Sequence, residues 1–93
     1  MMIFEWDEDK NRINRKTHHI SFEYAARVWD DERRIERFDL EHSAYEERWI
    51  TIGLVNNVVF VVFTYRGEDC IRLISARPAT REERDEYYSY YDA

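Results

Sequence analysis

The sequence predicts an α+β fold in which an antiparallel sheet follows two helices and precedes a third, in the order β-α-α-β-β-β-β-α. Three observations carry that expectation. The stretch from Arg48 to Ala79 is a succession of apolar runs broken only by turn residues, the pattern of a strand meander. Residues 8–16 and 22–29 carry helical signatures instead, the second with Phe22, Ala25, Ala26 and Trp29 at i, i+3, i+4 and i+7. Thr80 with Glu83 three residues on forms a capping box, the opening of a last helix.

In chain order, Met2 to Trp6 alternates as a short strand. Asp7 then offers an N-cap, with Glu8 and Asp9 in the first turn and Arg15 and Lys16 toward the end, so the charges match a helix macrodipole over Glu8 to about Lys16. Only Ile13 is strongly apolar there, which predicts a surface helix held by its ends. Ser21 caps the second helix, Phe22 to about Trp29, which buries Phe22 and Trp29 against the sheet. Ile35 to Leu40 reads as an outer strand. Trp49 to Val55 and Val58 to Tyr65 follow, joined by Asn56-Asn57, a pair suited to the positive φ of a two-residue hairpin turn. Val58 to Phe63 has no polar residue at either parity and suits a middle strand covered on both faces. Gly67-Glu68-Asp69 turns the chain into Cys70 to Ala76, where Ile71, Leu73 and Ser75 alternate with Arg72 and Ile74. Pro78 ends that strand and Arg81 to about Tyr90 forms the final helix.

At 93 residues the chain is expected to form one domain over 1–93. Its single Cys cannot form an intramolecular disulfide, and no apolar run reaches the roughly 18 residues of a membrane span. A soluble, cytoplasmic protein is the expectation, with no membrane partner. The net charge of −6 argues against phosphate binding, but its distribution does not. Residues 48–81 carry five basic and two acidic side chains, and no acidic residue stands between Lys10 and Phe22. An acidic chain with this pattern is able to present one basic face.

His18-His19, with His42 and Cys70, lacks the spacing of a zinc signature, and two glycines cannot build a phosphate-cradling or dinucleotide loop. No metal or cofactor is expected. Cys70 in a strand pattern and Trp6 read as packing residues, and the terminal tyrosines Tyr87, Tyr88, Tyr90 and Tyr91 as a docking face. Arg48, Arg66, Arg72 and Arg77 admit two readings: strand arginines guard an exposed sheet against aggregation, or they bind phosphate. Cleavage of RNA by its own 2′-hydroxyl needs a proton acceptor, positive charge on the phosphorane oxygens and a donor for the leaving oxygen. Arg66 and Arg77, at strand ends, with Lys10, Arg12, Lys16 and the tyrosines, supply the residue types for that chemistry.

The segments FEWDEDKN at 4–11, HISFEYAARVWDD at 19–31 and VVFTYRGEDCIRLISARPATREERDEYY at 61–88 resemble the BrnT family, the toxin half of bacterial type II toxin–antitoxin pairs. The resemblance spans nearly the whole chain. It implies a RelE-like fold, a ribonuclease that arrests translation, and a BrnA-like antitoxin that binds operator DNA through a ribbon-helix-helix domain, so that DNA is met only through the antitoxin. It directs attention to Lys10, Arg48, Arg66, Arg72, Arg77 and Arg81. Where the family usually has a glycine after the first helix this chain has His19, and where a basic residue usually follows the strand-end arginine it has Pro78. Two functions stay open. In the first, Arg66, Arg72, Arg77 and Lys10 are catalytic in a metal-independent endoribonuclease, with Arg12, Lys16, Arg48 and Arg81 holding RNA. In the second, the fold survives as an inactive binding module that acts within an antitoxin complex to autoregulate transcription.

Overall fold

Apolar alternation at the centre of the chain closes into one five-stranded sheet in the computed structural model, which describes residues 2–90. The elements are β1 (Ile3–Glu5), α1 (Glu8–His18), α2 (Phe22–Ala25) running into a 3-10 turn (Ala26–Asp30), β2 (Ile35–Phe38), a short 3-10 turn (Leu40–His42), β3 (Trp49–Leu54), β4 (Val58–Arg66), β5 (Cys70–Pro78) and α3 (Arg81–Ser89). The predicted order is the observed one. The sheet runs β1-β5-β4-β3-β2, antiparallel except that β1 pairs parallel with β5. A parallel pair needs a long crossover, and everything from α1 to β4 lies between these two strands.

Two layers cover the sheet. On one face α2 and its 3-10 extension bring Phe22, Ala25 and Val28 onto Val59, Val61, Phe63, Ile71, Leu73 and Ala76, all buried. Trp29 stands edge-on to both Phe4 and Phe63 in this layer. On the other face α3 lays Tyr87 against Ile52, Val58 and Ala79 but covers only that end of the sheet. Full burial of a residue such as Phe22 or Phe63 stabilises the fold by about 2–3 kcal/mol.

Local details depart from the sequence reading in four places. The β3–β4 connection is a three-residue loop, Val55 to Asn57, and among the described residues positive φ occurs only at His19 and Gly67, so the asparagines form no positive-φ turn. The second helix is α-helical for four residues only before tightening to 3-10. Ile13 is exposed; α1 is held by buried Asn11 and Asn14 instead. Finally, β5 carries a bulge: Val62 pairs with Ser75 but Phe63 pairs with Leu73, so Ile74 has no partner in the register. Past it Ala76, not Ser75, shares the buried face of Ile71 and Leu73.

Candidate active site

That bulge decides where the arginines go. Arg72 and Arg77 are five residues apart and would point to opposite faces of a regular strand. Instead Arg72 pairs with Thr64 and Arg77 with Phe60, two residues of equal parity on β4, so both side chains share the face that α3 half covers. Arg66 follows Thr64 at the same parity, and Arg37 of β2 stands opposite Ile50 on that face. The sequence-selected strand arginines therefore lie on one side of the sheet.

A concavity of about 500 Å3 opens on this face beside α3. Its floor is Ile50, Phe60, Val62, Ile74 and Ser75; Arg37, Arg48, Arg77 and His42 stand around it with Asp39, Glu41 and Glu83. Three guanidinia thus meet three carboxylates. The loop between β2 and β3 supplies the histidine, and Ser43 pins it: its hydroxyl donates to the Asp39 carbonyl at 2.5 Å and accepts the Arg48 amide at 2.9 Å. The Asp39 amide donates in turn to the Arg48 carbonyl at 2.8 Å, and Thr64 Oγ1 donates to the Glu47 carbonyl at 2.7 Å. One hydroxyl therefore ties Asp39 to Arg48 across the loop that carries His42.

The Asp39 carboxylate is buried, and both its oxygens face His42 Nδ1, at 3.1 and 3.3 Å. A carboxylate only accepts, so the hydrogen bond puts a proton on Nδ1, and in the neutral imidazole that tautomer has its lone pair on Nε2. The imidazole itself is 61% exposed, open to a substrate. A histidine oriented by a buried carboxylate is the arrangement of a general base.

Carboxylates occupy most of the arginines. Arg77 makes a bidentate pair with Glu83, at 2.8 and 2.9 Å, while its guanidinium stacks 3.9 Å above the Phe60 ring. Burial pushes the Glu83 carboxyl up, but the hydrogen bonds from Arg77 and from Thr80 outweigh it and hold it below the usual carboxylate value. Arg37 reaches Glu86 of α3 at 2.5 Å. Arg66 pairs with Glu46 at 3.1 Å and Arg72 with Glu5 at 2.5 Å, both outside the concavity. Glu5 also accepts from the Cys70 thiol at 3.0 Å; that bond and the one from Arg72 keep the Glu5 carboxyl low, while the bond to Glu5, with burial, pushes the thiol up. Cys70 is held protonated, consistent with a packing role. Arg48 has no ion pair among the described residues, which makes it the cation in the concavity without a carboxylate partner.

The remaining sequence candidates fall elsewhere. Lys10, Arg12 and Lys16 lie exposed on α1, in the layer on the opposite side of the sheet, where Arg12 pairs with Asp9. Arg81 is exposed in the first turn of α3 and does not line the concavity. Of the four residues proposed as catalytic from the sequence, the concavity receives Arg77 alone; of the RNA-holding set it receives Arg48. Sequence reasoning weighed His42 only as a metal ligand, and missed Arg37. A carboxylate three residues before the histidine, Asp39, was the available signal, yet nothing local showed that the loop folds back onto the arginine face. Among the described residues no group of three or more His, Cys, Asp or Glu is placed to hold a metal ion. No helix is long and apolar enough to cross a membrane.

Comparison with known proteins adds a family. A family model described as the ribonuclease toxin, BrnT, of type II toxin–antitoxin systems matches residues 6–83. The chain is similar to the ribonuclease toxin BrnT of Brucella abortus, known from a crystal structure at 1.1 Å: the TM-score is 0.64 at 22% identity, over 87% of this chain and 100% of that one. At that identity the likeness establishes the fold. No curated protein sequence matches significantly. A type II toxin implies an antitoxin partner. On the family model, which covers most of its length, the chain belongs to the BrnT family of ribonuclease toxins of type II toxin–antitoxin systems.

Proposed function

We propose that this protein cleaves single-stranded RNA in the concavity beside α3, using the RNA's own 2′-hydroxyl as nucleophile. The observation that carries the reading is the His42–Asp39 pair set in the same recess as Arg48. His42 Nε2 takes the 2′-hydroxyl proton as the oxygen bonds to phosphorus. The bond from phosphorus to the 5′-oxygen breaks, and that oxygen takes a proton from water. A 2′,3′-cyclic phosphate and a 5′-hydroxyl are left. Arg48, and Arg77 once Glu83 shares or yields it, stabilise the extra charge on the phosphorane oxygens, a role worth about 10²–10³ in rate per donor. Arg66 and Arg72 hold the strand further along the same face, and Lys10, Arg12, Lys16 and Arg81 add to its long-range attraction.

Cleavage of messenger RNA would arrest translation, and a BrnA-like ribbon-helix-helix antitoxin is the partner proposed to neutralise it and to carry the complex to operator DNA. A second reading has its own observation: four of the five arginines on this face are neutralised by carboxylates in a chain of net charge −6. That suits a module that binds its antitoxin and does not cut. Inducible expression separates the two. The wild type is expected to arrest growth and deplete RNA, and His42→Ala or Arg48→Ala, shown folded by circular dichroism, to do neither. A folded, harmless wild type that leaves RNA intact would contradict the ribonuclease reading and support the second.

A further inference from the structure

A larger recess, of about 950 Å3, opens where the sheet ends at Val58 and Ala79, between the C-terminus of α1, the β3–β4 loop and α3. Arg15, His18, His19 and Arg84 line it, and no Asp or Glu does. In a chain with 20 acidic residues against 14 Lys and Arg, that is not what composition alone would place there. The basic wall is also fixed in place. Arg84 Nη1 donates to the Ala79 carbonyl at 2.8 Å, and the Asn56 amide donates to the Tyr24 hydroxyl at 3.2 Å, tying the loop to the opposite side.

His19 is the second, independent observation. It caps α1 in the left-handed conformation, φ 60° and ψ 27°, a backbone that glycine adopts freely and a histidine only under strain. The capping backbone sets this imidazole on the wall of the recess. The two recesses are lined by neighbours in the chain: Arg77 and Glu83 line the concavity, Pro78 and Arg84 the recess.

We propose that this recess is a second binding site for single-stranded RNA, holding nucleotides that flank the phosphate cut in the concavity; the inference rests on the ribonuclease reading. Arg15 and Arg84 meet phosphates, as guanidinia do bidentately. Tyr88, exposed on the wall, offers a ring for a base, and the side-chain amides of Asn56 and Asn57 offer both donors and acceptors to base edges. An acidic peptide would also suit the cations; RNA is the occupant favoured because the neighbouring concavity is the one proposed above to hold the same strand.

The test separates binding from cutting. A fluorescent, uncleavable 2′-O-methyl RNA is titrated by anisotropy at several salt concentrations with the wild type, with His42→Ala and with the double variant Arg15→Ala, His19→Gly. The double variant is expected to bind about tenfold more weakly and to lose about 0.7 from the slope of log K on log salt, one phosphate contact. Its thermal midpoint should not fall, since glycine relaxes the left-handed cap. His42→Ala should fail to cleave ordinary RNA. Equal RNA binding by the double variant and the wild type overturns the inference while leaving the ribonuclease reading intact. So does a double variant that loses affinity for polyglutamate but not for RNA, which would assign the recess to an acidic protein. Failure of the wild type to bind the uncleavable RNA or to cut ordinary RNA overturns the reading beneath it as well.

Discussion

Asn14 stands where a strand would. β1 covers the outer edge of β5 only from Cys70 to Arg72, and beyond it the buried Asn14 side chain donates to the Ala76 carbonyl at 2.8 Å and accepts the Ala76 amide at 3.1 Å. It donates as well to the Ile20 carbonyl at 2.9 Å, while Asn11 joins Glu23 to the Phe22 amide. Removing the Asn14 amide leaves several buried backbone groups unpaired, so Asn14→Ala is expected to lower stability by about 2–4 kcal/mol, measured by urea unfolding. A loss under ~0.5 kcal/mol would show that α1 docks by other means. This anchor was invisible to the sequence because periodicity registers apolar residues, and α1 docks through polar ones; Ile13, its one strongly apolar residue, faces solvent. His42 was missed for a related reason. Its orienting partner, Asp39, is close in sequence, but its role depends on a loop that only the folded sheet closes.

Local chemistry was the legible part at the scale of elements. The Thr80–Glu83 capping box forms as read, with Thr80 accepting the Glu83 amide and Glu83 accepting the Thr80 amide, because every atom involved lies within one turn. The β5 bulge was not legible: no glycine marks it, and the strict alternation that seemed to order Ile71, Leu73 and Ser75 would have split Arg72 from Arg77. Glu83 links the two levels, capping α3 while gripping Arg77. Its carboxyl lies below its ordinary value of 4.5 in the folded state, so the stabilisation it gives is complete above about pH 4.5 and is lost as pH falls from there through the folded value. Glu83→Gln, which keeps the cap, is expected to cost about 1–2 kcal/mol at pH 7 and progressively less below pH 4.5. Parallel acid titrations of wild type and variant by circular dichroism check it; a gap that stays constant into acid would show that the charge is not what stabilises. The freed Arg77 should tighten RNA binding at the same time.

Over the whole molecule, the fold is one sheet with one face closed by helices and the other left half open, and the open half is where the arginines gather. Fold class and element order were readable because hydrophobic patterning, turn residues and caps agreed along the chain. Net charge misleads here: a chain of −6 assembles a face with five arginines and then answers four of them with Glu5, Glu46, Glu83 and Glu86. What distinguishes a toxin from a disarmed relative is whether the remaining groups, Arg48 and the His42–Asp39 pair, suffice for chemistry. The most direct measurement is cleavage of a defined RNA by the purified protein, with the product ends identified, for wild type and His42→Ala of equal stability. The account predicts 2′,3′-cyclic phosphate ends from the wild type and a rate lower by about 10²–10⁴ in the variant. Cutting by His42→Ala at the wild-type rate, or products bearing 5′-phosphate ends, would contradict it.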